Sequence, residues 1–172
     1  VLSGSRIAYP PATGNLHYEV ELVAALKSGG RELNACRALE CIYGYAVGID
    51  FTRRDLQAEA KAKGRPWDTA KGFDSSAPVS PIKQAGCVAT EDARIWLEVN
   101  GELKQDAKLS DMIWSVSEIL VQLSRFYALK AGDLIFTGTP SGVSSVKPGD
   151  KIHGGIEGVG EVEVELVSGV GI

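Results

Sequence analysis

The sequence predicts an α+β fold in which strands dominate. Three observations carry that expectation. Ile95 to Val99, Asn100-Gly101 and Glu102 to Gln105 make a strong hairpin signal, because Asn-Gly takes the positive φ of a two-residue turn. Gly160 to Val167 alternates polar and apolar residues along its whole length. Helical spacing is confined to short stretches, and no repeat or low-complexity linker divides the 172 residues. A single domain over residues 1–172, with one core, is therefore expected.

Taken in order, Pro10-Pro11-Ala12-Thr13-Gly14-Asn15 is an extended lead-in that ends in a turn. His17 to Ala25 reads as a strand with Tyr18, Val20, Leu22 and Ala24 on one face, and Ser28-Gly29-Gly30 breaks it. Asn34 offers a cap for a short helix running toward Tyr43, with Gly44 ending it. Tyr45 to Phe51 is apolar on both faces until Asp50, the pattern of a buried strand. Thr52 and Asp55 suggest a capping box for a helix that reaches about Lys63 and stops at Gly64-Arg65-Pro66. Ser117 can cap a helix whose apolar positions are Ile119, Leu120, Leu123 and Phe126. Leu134 to Phe136 is a short strand, and Lys147-Pro148-Gly149-Asp150 is a turn before the last strand.

Composition narrows the function classes. Apolar residues make up 44% and charged residues 23%, as in an ordinary soluble globular protein. A net charge of −4 with scattered lysines and arginines argues against nucleic acid, which demands a basic face. No apolar run approaches the roughly 20 residues that span a bilayer, and no signal peptide is legible, so no membrane partner is expected. Cys36, Cys41 and Cys87 form no Cys-x-x-Cys, and with only two histidines a zinc site or disulfide framework is not expected. A reducing compartment, the cytoplasm, follows. Val1 in place of Met implies an N-terminal segment removed or left out.

The chemistry concentrates around one strand-to-helix junction and the strand before it. Glu19 and Glu21 leave the same strand face roughly 7 Å apart. At an effective dielectric near 20, two such charges repel by about 2 kcal/mol. A cation between them reverses that sign, and hard carboxylate oxygens suit Mg²⁺ or Mn²⁺. The same tetrapeptide recurs at 163–166, where Glu161, Glu163 and Glu165 read as the solvated face of an edge strand. The first copy continues into Val23 and Ala25 and reads as half-buried; pattern alone leaves a metal role and a structural role both open.

Asp50 ends an apolar strand at a helix start, where side chains point into a cleft or simply meet the helix dipole. Arg54 and Gln57, three apart, share a helix face and can grip a carboxylate or face solvent. Lys71 lies between small and aromatic residues rather than in a charged run. Thr137-Gly138-Thr139-Pro140 places backbone N–H groups and hydroxyls at a strand end, a possible anion cradle. His17 shares the glutamate face and reads as a supporting residue, and His153 as an ordinary one. No nucleophile elbow and no phosphate-binding loop is present.

In this order, HYEVEL, GYAVGIDFTRRDLQ, PWDTAKGFD, VNGELKQ, GDLIFTGTPSGV and KPGD resemble the fumarylacetoacetate hydrolase family, from about Pro10 to the C-terminus. The likeness is to the bacterial branch that includes acylpyruvases, fumarylpyruvate hydrolases and oxaloacetate decarboxylases. It implies mixed β-sheets rolled into a sandwich- or barrel-like core with a few short helices, and a homodimer. It implies Glu19, Glu21 and Asp50 as ligands of Mg²⁺ or Mn²⁺, Lys71, the active-site lysine, with Arg54 and Gln57 as catalytic residues, and Arg54, Gln57, Lys71, Gly138 and Thr139 as contacts of a small oxo-acid substrate. The implied reaction is hydrolysis of a C–C bond in a 2,4-dioxo acid. Oxaloacetate decarboxylation, isomerisation of a 2-hydroxy-diene-dioate, and a catalytically dead assembly module are the alternatives. The family's His–Glu pair of the N-terminal lid has no counterpart among the sixteen residues before His17, so the lid segment is expected to be missing; Tyr18 stands where relatives often carry histidine.

Overall fold

A computed structural model of the chain describes residues 1–169 other than 89 and 91. The strands are β1 (Ser5–Ala8), β2 (Leu16–His17), β3 (Val20–Leu26), β4 (Ile42–Ile49), β5 (Thr52–Arg53), β6 (Lys83–Gln84), β7 (Arg94–Val99), β8 (Glu102–Lys108), β9 (Leu134–Phe136), β10 (Ser145–Val146), β11 (Lys151–Ile156) and β12 (Gly160–Val167). The α-helices are α1 (Ala35–Glu40), α2 (Arg54–Ala62), α3 (Asp68–Lys71) and α4 (Val116–Phe126). Among the described residues the sheets run β1-β12-β11-β7-β8, β6-β4-β3-β9 and β10-β2-β5. No helix of the described residues is long and apolar enough to cross a membrane.

The two larger sheets pack face to face, with β3 and β4 against β7, β11 and β12. Alternation explains the interface: Val162, Val164 and Leu166 of β12 point inward beside Ile152 and Leu97, opposite Val20, Leu22, Val47 and Ile49. The Asn100-Gly101 turn forms as expected, both residues at positive φ, joining Val99 to Glu102. The glutamate face of β12 is solvated, but β12 is not an edge strand. It lies between β11 and a parallel β1, so its glutamates face water because its other face is core. Glu165 meets Arg6 at 3.5 Å and Glu161 meets His153 at 3.0 Å.

Three local expectations are corrected. Asn34 does cap α1, its Oδ1 accepting from Arg37 N at 3.0 Å. The helix ends at Glu40 rather than near Tyr43, because Ile42 already pairs with Leu26 and Gly44 lies within β4 opposite Gln84. Helix α4 is capped by Ser115, not Ser117: Glu118 lies three residues after Ser115, and its carboxylate accepts from Ser115 N at 2.8 Å. Thr52 caps nothing. It pairs with His17 in β5, while Asp55 accepts from Thr13 Oγ1 at 2.6 Å and Gly14 N at 2.9 Å and so pins the lead-in to α2.

Gly44 is needed for lack of room: a Cβ there runs into the Lys83 carbonyl oxygen, the backbone of β6. Gly44→Ala is expected to push β6 off β4 and to cost about 1–3 kcal/mol, read as a lower urea midpoint. An unchanged midpoint contradicts this account of the strand edge.

Candidate active site

Antiparallel register assembles the three carboxylates. β3 pairs with β4 so that Val20 faces Ile49 and Glu21 faces Gly48, and one step further Asp50 N donates to Glu19 O at 2.8 Å. One oxygen from each of Glu19, Glu21 and Asp50 then lies within 4.8 Å of the others. Glu19 and Glu21 are only 8% and 4% exposed, more deeply buried than a half-buried face. Glu21 is further fixed by Gly138 N, which donates to its Oε2 at 2.6 Å. The Gly138 N–H is therefore spent on a carboxylate rather than left for a substrate.

Two cations close the cluster from the other side. Lys71, the last residue of α3, donates to Glu19 Oε2 at 2.7 Å and to Asp50 Oδ2 at 2.6 Å. Arg54 opens α2 and reaches Glu19 Oε1 at 2.5 Å through Nη2 and Gln57 Oε1 at 2.6 Å through Nη1. The Gln57 oxygen is thus taken by Arg54, and its amide N–H groups are left for another acceptor. Arg53, which sequence reasoning passed over, holds α3 in place: its guanidinium lies 4.4 Å from the Phe73 ring centroid and donates to Thr69 O at 3.2 Å. Only the alternation of Arg53 and Arg54 at the junction hints at two different tasks.

The charges do not balance. With all three carboxylates ionised, as metal ligation requires, they face one ammonium and one guanidinium and leave one net negative charge. Burial pushes the Glu21 carboxyl up to about 7, opposed by the Gly138 N–H and aided by the Asp50 and Glu19 charges. Burial also raises Asp50, against its hydrogen bond from Lys71. Burial alone lowers the Lys71 ammonium, but its hydrogen bonds to Asp50 and Glu19 outweigh that and hold it above its ordinary value. A divalent cation fits this donor set, all hard oxygens. It leaves the cluster one charge positive, the complement of a monoanionic carboxylate.

Thr139 lies beside the cluster on the loop after β9, its Oγ1 accepting from Gln105 Nε2 at 2.8 Å. The same loop walls a cavity of about 460 Å³ whose other lining includes Ile95, Met112 and Trp114. His17 Nε2 sits 3.0 Å from Asn15 Oδ1, and burial followed by the Arg54 charge lowers its pKa, against Glu19. His153 lies on the outer face of the large sheet, edge-on to Trp96 at 4.9 Å. Tyr18, in the position noted for histidine, donates to Gly142 O at 3.0 Å.

The chain matches the fumarylacetoacetate (FAA) hydrolase C-terminal family over residues 1–167. It is 49% identical over 166 residues to a fumarylpyruvate hydrolase of Ralstonia sp., covering 96% of this chain and 86% of that protein. It is 45% identical over 157 residues to a mitochondrial oxaloacetate tautomerase of Rattus norvegicus, covering 91% and 71%. The crystal structure of fumarylpyruvate hydrolase from Pseudomonas aeruginosa in complex with Mn²⁺ and pyruvate superposes with a TM-score of 0.94 at 47% identity, over 98% of this chain and 73% of that one.

Proposed function

The chain belongs to the fumarylacetoacetate hydrolase family, and from that premise we propose that it hydrolyses a C–C bond of 2,4-dioxo acids of the acylpyruvate or fumarylpyruvate type, with Mg²⁺ or Mn²⁺ as cofactor. The observation that carries the reading is the buried triad Glu19, Glu21 and Asp50, one oxygen of each within 4.8 Å, with Lys71 and Arg54 beside it. These three residues hold the ion; when bound, it supplies the Lewis acid that polarises the 2-oxo group.

This chain's own residues do the rest. Arg54 and the amide N–H groups of Gln57 bind the C1 carboxylate. The bond between C3 and C4 breaks, the hydroxyl of water going to the acyl carbon and its proton to C3, so that pyruvate and a carboxylic acid leave. Lys71 keeps a fixed positive charge where the enolate oxygen gains negative charge. Thr139 donates its hydroxyl proton to a substrate oxygen, and Gly138 orients Glu21. Residues 1–172 act as a single catalytic domain. A cytoplasmic homodimer is the working unit; the exposed apolar Ile113 (96%) before α4 and Phe126 (71%) at its last position support self-association.

A second reading, oxaloacetate tautomerisation, is favoured by the 45% identical relative of that name and by its need for the same enolate stabilisation. Product analysis separates the two. Acetylpyruvate, fumarylpyruvate and oxaloacetate are each supplied with Mn²⁺ or with chelator. Chelator-sensitive pyruvate release from a dioxo acid is the expected result. Enol–keto interconversion of oxaloacetate without pyruvate release overturns hydrolysis in favour of the tautomerase.

A further inference from the structure

Gln105 is fully buried, at 0% exposure, and no step proposed above uses it. Its Oε1 accepts from the N–H of Val20, the residue between Glu19 and Glu21, at 3.1 Å. Its Nε2 donates to Thr139 Oγ1 and to Pro140 O, each at 2.8 Å. The Val20 donor and the Pro140 acceptor leave only one orientation of the amide. A β-bulge aims it there: Leu97 pairs with Gln105 but Glu98 pairs with Leu103, so Lys104 is the extra residue and Gln105 turns inward although Leu103 faces out. The loop fits against that bulge because Gly142 sits at φ +103, where a Cβ runs into the Lys104 carbonyl oxygen, and Tyr18 holds the Gly142 carbonyl.

We propose that Gln105 is a positioning residue that makes Thr139 a hydrogen-bond donor to the substrate. An amide N–H can only donate, so Gln105 fills one of the two lone pairs of the Thr139 oxygen and cannot take its proton. No acceptor among the described residues takes the Thr139 proton, and it is left for a substrate oxygen. The same side chain ties that hydroxyl to the backbone between two carboxylates of the triad. The inference rests on the reading that Thr139 touches the substrate.

A double-mutant cycle on the full chain with Mn²⁺, using acetylpyruvate or whichever dioxo acid turns over, tests it. Gln105→Met is expected to lower kcat/KM roughly 10–100-fold while Mn²⁺ still raises the melting temperature. Thr139→Val is expected to lower kcat/KM as well, and Thr139→Ser to restore it. In the Thr139→Val background, Gln105→Met is expected to add about twofold or less. Factors that multiply overturn the inference alone and make Gln105 a packing residue. An unchanged kcat/KM in Thr139→Val overturns it through its premise, by removing Thr139 from the substrate contacts. Should Gln105→Met not fold, Gln105→Asn, one methylene too short to span Val20 and Thr139, makes the same comparison.

Discussion

Glu21→Gln is expected to lower divalent-cation-dependent kcat/KM by roughly three orders of magnitude, because several kcal/mol of transition-state stabilisation depend on a bound Lewis acid. The substitution keeps the side-chain shape and keeps an acceptor for Gly138 N, so the fold should survive it. A second readout is independent of turnover. In the parent protein, Mn²⁺ at a hundred times its Kd adds about 2.7 kcal/mol to stability, a rise of roughly 5–10 °C in Tm for a chain of this size. In Glu21→Gln that rise should vanish or need far more Mn²⁺. Full activity together with an undiminished Mn²⁺ shift removes Glu21 from the ligand set.

The parts of this site that were legible in the sequence are those set by short-range pattern. The i, i+2 spacing of Glu19 and Glu21 puts both on one strand face whatever the rest of the chain does, and Asp50 closes an apolar run. What the pattern could not supply was the antiparallel register of β3 and β4, which brings Asp50 N to Glu19 O and so joins the three carboxylates; the family motifs supplied that. The hairpin at Asn100-Gly101 and the whole of β12 were also legible, the first from turn chemistry and the second from period-two alternation. β1 was not, because Ser5 to Ala8 forms a strand only by pairing in parallel with Ser5 opposite Val164, far along the chain.

Gln105 was hidden for a sharper reason. Simple alternation places it on the face of Leu103, which is exposed, and one unpaired residue at Lys104 reverses that parity. A bulge is invisible to a pattern that assumes none. Cap assignment failed in the same local way. Both Ser117 and Thr52 are good cap residues, but Ser115 alone had Glu118 three positions on, and Asp55 found a better donor in the lead-in loop.

Lys71→Met separates charge from scaffold. Its ammonium sits between Glu19 and Asp50 at 2.7 and 2.6 Å, so without a metal its loss leaves Asp50 unpaired and Glu19 held by Arg54 alone. Breaking a buried pair costs about 3–5 kcal/mol, and the low end applies because Lys71 and Asp50 are 29% and 24% exposed. Mn²⁺ should recover most of that loss by supplying the missing positive charge. Removing a cation from beside the triad should also leave Mn²⁺ affinity equal or tighter. Turnover, by contrast, should fall by roughly 10²–10³-fold in kcat, since nothing else on α3 offers charge to the developing enolate. Lys71→Arg should not restore it, because a planar fork cannot occupy the point between two oxygens that an ammonium fills. Loss of Mn²⁺ binding in step with activity makes Lys71 a structural prop of the carboxylates instead. Tight Mn²⁺ binding with a collapsed kcat places its charge in the reaction.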